Sequence, residues 1–325
     1  MVNAGSLEGR RRPNQTPAIL RVATFNMENL FDLVREPGEL AHKSKPSPYQ
    51  LEVKLAKLAL TLEQVLQLPE IVVAQEIDNA LVLQEVGDRV NRQTGSGYRA
   101  VSFLTSDRRS IEVGFLYDEK RVALNNCYQL RGVEVEKAFG SLSPSPGREP
   151  IVGLFEREGF TLRIIGVHLK SKAGISPLDR DRDALEASQE AQRVEQARVL
   201  RKMADEILRR DPRAPLLIAG DFNDFAYLSE EEGTEQAIHI VEGEPGELRL
   251  TDILNRVPEE ERYTFIHTGI GQLLDHIFLS PTLLRRVENV RIHHVNAGFP
   301  RGEAKEPGTA NRASDHDPVE LTLRL

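Results

Sequence analysis

The sequence lacks most features that would tie it to an unusual environment. Cys127 is the single cysteine among 325 residues, so an internal disulfide or a cysteine-based zinc site is excluded. This cysteine lies in a strand-like run over 121–130, where we predict a buried core residue rather than a reactive thiol. Tryptophan is absent, and no apolar run is long enough for a membrane span or a signal peptide.

The sequence also lacks an excess of positive charge. Lysine and arginine number 42 against 50 acids, a net charge of −8, which argues against a protein that holds nucleic acid by bulk charge. The acidity is local, however, because eleven of the acids lie between Ser229 and Glu261, where only two arginines occur. A local site for a phosphate-bearing substrate is therefore compatible with the composition.

What is present is the composition of an ordinary globular protein, with 40% hydrophobic and 28% charged residues. We predict a flexible N-terminal segment over 1–17 and a single catalytic domain over 18–325. No protein partner is indicated, and we expect a monomer. The chain as given is predicted to be cytoplasmic, or secreted if a leader peptide has been removed from it.

Short apolar runs alternate with helical patterns along this domain. Leucines and valines at i, i+3, i+4 and i+7 between Leu51 and Leu66 predict a helix that stops near Pro69, and a long helix is expected from about Ala184 to Arg210. Because helices occur singly among many strands, the pattern favours an α/β sandwich with mixed sheets over a barrel of alternating strands and helices. The predicted strands are 19–25, 71–75, 98–104, 111–117, 151–156, 161–169, 216–219, 274–279, 287–295 and 319–325.

Polar side chains capable of chemistry recur where these strands end. The edge of an open sheet is a common place for a ligand site, because the backbone fixes the side chains while the edge stays accessible. Each motif alone has an ordinary structural interpretation, such as a turn for the run 221–224 or a buried strand histidine for His168. Six such strand ends in one chain favour a shared site; they are 26–29, 75–76, 168–172, 221–224, 275–276 and 314–316.

The residue types predict metal-assisted attack on a phosphate ester. Carboxylate and amide oxygens, as from Glu76, Asp221, Asn223 and Asp315, are hard ligands that suit Mg²⁺ or Mn²⁺. A histidine–aspartate pair could take a proton from water while the cation neutralises charge on the phosphoryl oxygens. Zinc is disfavoured, because acids outnumber imidazoles and no HExxH motif is present.

Taken in order, these motifs resemble the deoxyribonuclease-I-like endonuclease/exonuclease/phosphatase superfamily. The resemblance covers nearly the whole chain, from Arg21 to Leu325, and implies a four-layer αββα sandwich of two mixed β-sheets flanked by helices, with one active site at one edge. The motifs that carry it are ATFNMENLFD at 23–32, VVAQEID at 72–78, VGFLYDEKRV at 113–122, IGVHLKSK at 165–172, IAGDFND at 218–224, LLDHIFLS at 273–280 and SDHDPVEL at 314–321.

The resemblance implies a role for each of these residues. Glu76 is similar to the principal metal-binding glutamate of the family, and Asn26 and Glu28 resemble the pair that shares in metal and phosphate binding. Asp315 belongs to the terminal dyad and is placed with the metal ligands. A divalent cation, Mg²⁺ or Mn²⁺, is the implied cofactor.

Four further residues take catalytic roles by the same resemblance. Asp221 orients the nucleophilic water, His316 acts as the general base, and Asp275 is the acid that orients a site histidine. His168 resembles the histidine of the deoxyribonuclease-I and sphingomyelinase branches. Asn223 is similar to the asparagine that holds phosphate.

The segment after His168 narrows the resemblance to one branch. HLKSK, followed by Arg193, Gln196 and Ala197 on a helix, is similar to a pattern of bacterial secreted nucleases. Lys170 and Lys172 are then candidates for phosphate contact, although a solvated lysine at a strand end is an equally good interpretation. Nucleases of that branch usually bring several cysteines and added domains, whereas this chain has the single Cys127 and we expect no second domain in it.

We therefore expect a divalent-metal-dependent phosphodiester hydrolase, in the first place a nuclease of low sequence specificity with nucleic acid as substrate. A phosphomonoesterase or a phospholipid phosphodiesterase on the same fold is the alternative. A non-catalytic binding module is disfavoured, since no expected ligand or histidine is missing.

Overall fold

The structure is a computed structural model that describes residues 18–34, 45–172, 181–224, 236–246 and 248–325. The segment 1–17, predicted to be flexible, lies outside these residues. So do most of a proline-containing loop over 35–48 and part of the acidic stretch between Ser229 and Glu261.

Fourteen strands and six α-helices make up the regular structure in the described part of the chain, together with short π and 3₁₀ turns. In chain order the strands are β1 (Ile19–Leu30), β2 (Ile71–Ile77), β3 (Tyr98–Ser102), β4 (Glu112–Asp118), β5 (Ala123–Gln129), β6 (Ile151–Arg157), β7 (Phe160–His168), β8 (Leu216–Asp221), β9 (Thr251–Asp252), β10 (Phe265–His267), β11 (Ile270–Gln272), β12 (Asp275–Leu279), β13 (Val287–Ile292) and β14 (Val319–Arg324).

Helices occur between them and are mostly short. They are α1 (Pro48–Leu60), α2 (Ala80–Thr94), α3 (Val133–Ala138), α4 (Arg182–Arg210), α5 (Ala237–Glu242) and α6 (Pro281–Leu284), with a π-helical turn over Thr61–Val65 and 3₁₀ turns over Ile253–Arg256, Glu259–Glu261 and Arg301–Lys305. Ser47 begins α1 with a capping box, since its side chain accepts from the Gln50 backbone N–H and the Gln50 side chain accepts in return. No helix in the described ranges combines the length and apolar character that a membrane crossing requires.

The strands form two mixed six-stranded sheets and one short hairpin. The first sheet has the order β13-β14-β1-β2-β4-β3 and the second β5-β6-β7-β8-β12-β9, while β10 pairs with β11. One parallel pair lies in each sheet, β1 with β2 and β7 with β8. The other pairings among the described strands are antiparallel.

Three apolar layers hold the sheets and helices together. The central layer lies between the sheets, where Val73 and Phe115 of the first face Phe155 and Ile164 of the second. A second layer packs α1 and α2 on the outer face of the first sheet, and a third packs α3, α4 and α5 on the outer face of the second. The predicted αββα sandwich is therefore confirmed.

The central strands are apolar on both faces because both are covered. All six residues of β8 are buried, and six of the seven in β2. Glu76 is the residue of β2 that stays partly exposed, at the end where the sheet opens to solvent.

Two details depart from the sequence-based expectation. Helix α2 was not predicted, although Asn79 caps it by accepting from the Val82 backbone N–H and its buried Val82, Val86 and Val90 recur every four residues. Cys127 is only half-buried and packs at the margin of the central layer. Burial raises the pKa of its thiol to about 12, which leaves it unreactive at neutral pH.

Candidate active site

The first sheet opens at the point where β1 and β2 part. The two strands pair in register up to Asn26, and beyond it three residues of β1 face one residue of β2. Glu28, Asn29 and Glu76 adopt left-handed backbone there, with φ of 45°, 54° and 57°. Each such residue costs on the order of 1–3 kcal/mol and persists only where the surroundings enforce it. Here the Asn29 backbone N–H donates to Glu76 Oε2 at 3.0 Å and fixes that carboxylate.

Three half-buried carboxylates lie around this bulge, near enough for Asp315 and Glu76 to act on the charge of Glu28. We call Glu28, Glu76 and Asp315 the open carboxylate group. Burial raises the pKa of Glu28, and the charges of Asp315 and Glu76 add to the effect against the nearby ammonium of Lys54. Arg312 lies 3.7 Å from Glu28 Oε1. The charges of Asp315 and Glu76 disfavour ionised Glu28, and Lys54 and Arg312 offset part of that repulsion. A bound cation would offset it further.

The second sheet brings three further side chains to the same edge. His168 ends β7 and Asp221 ends the parallel strand β8, so the two residues are register partners. Asp275 begins the antiparallel strand β12 and is the partner of Asp221 on its other side. Gly220 allows β8 to pair closely with β7, because at its φ of 153° a Cβ would lie 1.9 Å from the Val167 carbonyl oxygen.

His316 crosses from the first sheet to the second. Its Nδ1 lies 2.7 Å from Asp275 Oδ2, and its ring packs 5.0 Å from that of Phe265. Burial alone would lower the pKa of His316, but the charge and hydrogen bond of Asp275 outweigh it, and the pKa lies well above its usual value. Asp275 therefore favours the protonated form of His316.

Asp221 Oδ2 is the point on which the buried side chains converge. Asn26 Nδ2 donates to it at 3.0 Å, His168 Nε2 lies 3.5 Å away and His316 Nε2 lies 4.0 Å away. Burial raises the pKa of Asp221 to about 7, with Asp275 adding to the shift against His316. Burial lowers the pKa of His168 well below its usual value, and the guanidinium groups of Arg148 and Arg109 lower it further, so its ring is neutral.

The remaining predicted site residues follow β7 and β8. Asn223, with a left-handed φ of 50°, donates from its backbone N–H to Asp221 Oδ1 at 2.8 Å, and its side chain donates to the Leu169 carbonyl at 3.3 Å. Lys170 Nζ donates to Ser145 Oγ at 3.2 Å. Lys172 Nζ instead pairs with Oδ1 of buried Asp224 at 3.0 Å, so its ammonium lies beside the residues that follow β8.

A cavity of about 400 Å³ adjoins Glu76, and four cationic side chains are among its lining residues. Arg108 and Arg109 come from the loop before β4, Arg148 from the loop before β6, and Lys170 from the end of β7. Asp107 neutralises Arg148 at 3.1 Å. Burial lowers the pKa of Lys170, and Arg148 and Arg109 add to the effect, as expected where like charges crowd together.

Several residues that hold the site in place received no role in the sequence-based interpretation. Lys54 of α1 donates from Nζ to the Ala313 carbonyl at 2.5 Å, and Ser314 Oγ donates to the Asn26 carbonyl at 2.7 Å. Asp317 Oδ1 accepts three consecutive backbone N–H groups, and Asn296 Nδ2 donates to the His316 carbonyl at 2.8 Å. The acid Asp317 within the run 314–317 was the available signal, since an acid next to a site histidine often fixes the turn that carries it.

The donor chemistry offers two places for a divalent cation. The open carboxylate group is all oxygen and partly exposed, which suits a cation that retains several waters. Asp221, Asp275 and His316, which we call the buried group, bring ligand atoms within 4.8 Å of one another. Asp275 Oδ1 is buried without a hydrogen-bond partner among the described residues, so an oxygen is available there too.

Comparison with known families and structures agrees with this geometry. A sequence model described as "Endonuclease/Exonuclease/phosphatase family" matches residues 21–298. No curated protein sequence matches the chain.

Similar solved structures extend over nearly the full chain. An endonuclease/exonuclease/phosphatase family protein from Bacteroides thetaiotaomicron has 18% identity and a TM-score of 0.58, covering 95% of this chain and 98% of its own. D. rerio TDP2 complexed with a single strand DNA product has 16% identity and a TM-score of 0.58, covering 95% and 100%. The human Nocturnin catalytic domain with bound sulfate has 17% identity and a TM-score of 0.55, covering 94% and 93%. At these identities the likeness shows a shared fold.

Proposed function

The chain belongs to the endonuclease/exonuclease/phosphatase family and is a hydrolase of phosphoric ester bonds, and from that premise we propose that it is a metal-dependent phosphodiesterase acting on nucleic acid with little sequence preference. The observation that carries the proposal is the convergence of Asn26, His168 and His316 on one oxygen of buried Asp221. This arrangement sets a proton acceptor beside groups that favour a bound anion.

The proton acceptor we propose is Asp221. Its carboxylate has a pKa of about 7 because of burial, which matches a base that works near neutrality. The sequence-based interpretation gave this role to His316. The geometry supports another division of labour, because Asp275 raises the pKa of His316 well above its usual value and holds the ring as a cation.

A charged imidazole is suited to contact phosphate. Nε2 of His316 is free of Asp275 and faces the same space as Asp221 Oδ2, 4.0 Å away. Asn26 and neutral His168 can donate hydrogen bonds to phosphoryl oxygens from the same side. Fixed donors of this kind stabilise charge that develops in the transition state. Asp275 acts through His316 and is a positioning residue.

We place the divalent cation, Mg²⁺ or Mn²⁺, at Glu28, Glu76 and Asp315, with Asn26 beside them. The buried group is the weaker candidate, since its histidine already carries a proton and is bonded to an acid. When bound, the cation supplies neutralisation of the phosphoryl oxygens. Glu28 and Glu76 both lie on left-handed backbone at the bulge between β1 and β2, which places them at the same end of the first sheet.

A polyanionic substrate is supported by the cavity beside Glu76. Arg108 and Arg109 are exposed, and neither side chain has an ion-pair partner among the described residues. With Lys170 they offer positive charge next to the proposed cation, where further phosphates of a strand can lie. A protein of this fold has been seen with a single strand DNA product, which agrees with this choice.

The remaining predictions are part of the same proposal. We propose that residues 18–325 form one catalytic domain, which the family match over 21–298 and the two six-stranded sheets support. We also propose that this domain acts as a monomer. Asn223 and Lys170 are proposed phosphate contacts. Lys172, paired with Asp224, is proposed to hold the end of β8 in place.

The direct test is nicking of supercoiled plasmid in Mg²⁺, Mn²⁺ and chelator, run beside phosphoinositide, sphingomyelin and a nitrophenyl phosphodiester. We expect nicking that requires the metal and is lost in Asp221→Asn. Arg198→Gln, an exposed change on α4, is the matched control and should retain full activity. Hydrolysis of phosphoinositide or sphingomyelin without nicking of the plasmid would contradict the nuclease assignment.

A further inference from the structure

A second cationic cavity lies away from the candidate active site, and we propose that it binds a small ligand carrying a di- or triphosphate group. The cavity holds about 890 Å³ and is lined by four arginines, Arg213, Arg285, Arg286 and Arg324. Four guanidinium groups in one cavity stand out in a chain with a net charge of −8. The proposal is independent of the function assigned above.

The cavity lies at the opposite ends of the strands that carry the active site. Arg213 precedes β8, which ends at Asp221, and Arg324 ends β14, which begins just after His316. A strand the length of β8, six residues, spans about 20 Å. One small ligand cannot reach both places, so this cavity does not extend the active site.

Two of the four arginines are held in place by their neighbours. The guanidinium of Arg286 lies 4.5 Å from the centre of the Phe160 ring and donates to the Arg324 carbonyl at 3.1 Å. Arg324 pairs in turn with Glu288 through its Nε at 2.6 Å. Stacking and hydrogen bonding orient these groups before a ligand arrives, which lowers the cost of binding.

The other two carry charge that nothing nearby neutralises. Arg213 and Arg285 are exposed, and neither side chain has an ion-pair partner within the described ranges. None of the described lining residues is an aspartate or a glutamate. After Arg324 is matched with Glu288, three guanidinium groups remain with no ion-pair partner among the described residues.

The charge and the walls together indicate the ligand class. Guanidinium groups bind phosphate oxygens in pairs, and three of them suit a chain of two or three phosphates better than a single one. Pro212, Pro281 and Leu325 form apolar walls beside the charges. A compact organic polyphosphate, such as a nucleoside di- or triphosphate, fits both. None of the described lining side chains is an acid or a histidine, so we assign binding and no hydrolysis.

The test is calorimetric titration of the full chain with inorganic triphosphate, pyrophosphate and phosphate in metal-free buffer. We expect one-to-one binding in the order triphosphate, pyrophosphate, phosphate. Arg213→Gln and Arg285→Gln should each weaken triphosphate binding about tenfold, the size expected for one charge-assisted contact. Arg291→Gln, the same charge change at an exposed position of β13, is the control and should bind as the wild type does.

Three results would overturn the proposal. The first is the absence of triphosphate binding to the wild-type chain. The second is equal binding by the Arg213, Arg285 and Arg291 variants. The third is a loss of binding in an Arg108→Gln, Arg109→Gln double variant, which would place the ligand in the active-site cavity instead. A short single-stranded oligonucleotide binding more tightly than triphosphate through Arg213 and Arg285 would likewise contradict a small-ligand site.

Discussion

The two sheets contribute unlike halves to the candidate active site. The first sheet supplies Glu28 and Glu76 from strained backbone, partly open to solvent. The second supplies Asp221 and Asp275 from regular strand ends, 1% and 0% exposed. We call the Glu28 and Glu76 side the open half and the Asp221 and Asp275 side the closed half. The open half offers only oxygen ligands and can exchange a hydrated cation with solvent, whereas burial in the closed half controls the protonation of its carboxylates. The difference is the basis of our proposal that metal binding and proton transfer belong to different sheets.

His316 is the link between the halves. It follows Asp315 of the open carboxylate group, yet its ring turns toward Asp275 of the second sheet at 2.7 Å. Asn296 holds the turn that permits this, because its side chain donates to the His316 carbonyl. Asp317 accepts from the Asn296 backbone N–H in return. Breaking either half should therefore leave a distinct kinetic signature.

The largest effect should follow a change in the closed half. Asp221→Asn keeps the shape of the side chain but removes the proposed proton acceptor, and we expect kcat to fall by about 10⁴-fold. Nicking rates at saturating Mg²⁺ measure it, and Asp211→Asn at the end of α4 is the control. A loss of less than tenfold would show that the proton goes elsewhere.

A smaller loss is expected where the halves meet. His316→Ala removes the cation proposed to contact phosphate, and we expect kcat to fall by about 10²- to 10³-fold, the usual effect of deleting one such donor. Single-turnover nicking measures the chemical step. If His316→Ala loses more than Asp221→Asn, the histidine is the base and the division proposed here is wrong.

The cavity beside the open half should affect binding more than chemistry. Replacing Arg108 and Arg109 with Gln should raise KM about tenfold and leave kcat unchanged, because these groups would hold flanking phosphates in ground and transition state alike. The dependence of kcat/KM on salt should become shallower as well. An unchanged KM in this double variant would direct the substrate away from the cavity.

The last prediction concerns stability rather than rate, because His276, the residue beside Asp275, faces away from the candidate site. The His276 ring points to the other face of β12, where Nδ1 lies 2.7 Å from Asp252 Oδ2 and Nε2 lies 3.0 Å from the Asp224 carbonyl. Burial alone would lower the pKa of His276, but Asp252 outweighs it and raises the pKa to about 9.

A raised histidine pKa gives a definite sign to the pH dependence of stability. The contribution is fully present below the unfolded pKa of about 6.5 and is lost as the pH rises through about 9. We expect His276 to contribute about 3 kcal/mol to this decline. Urea unfolding at several pH values measures it, and His276→Asn should flatten the slope. An equal slope in wild type and variant would contradict the assignment.

Much of the closed half could be predicted from the sequence. His168, Asp221 and Asp275 each adjoin an apolar strand, and strands buried on both faces can only end at an accessible edge. The family resemblance then implied that these strand ends share one active site. The αββα sandwich followed from the same motifs and is confirmed.

The supports of the site could not be predicted, because they depend on how distant elements pack. Lys54 lies in the middle of α1, and only the packing of that helix on the first sheet brings its ammonium to the Ala313 carbonyl. Arg108 and Arg109 read as an ordinary charged turn until the loop is seen beside Glu76. The resemblance predicted that Asp275 orients a site histidine, but only the structure identifies that histidine as His316, at 2.7 Å.

The central claim is that the open half binds the cation while the closed half performs proton transfer. It is tested most directly by the Mg²⁺ dependence of plasmid nicking in wild type, Glu76→Gln and Asp275→Asn. We predict that Glu76→Gln raises the Mg²⁺ concentration for half-maximal rate by about tenfold or more, because one carboxylate ligand is lost. Asp275→Asn should lower the maximal rate and leave that concentration unchanged. The reverse pattern, with the Mg²⁺ requirement shifted by Asp275→Asn and not by Glu76→Gln, would contradict the account.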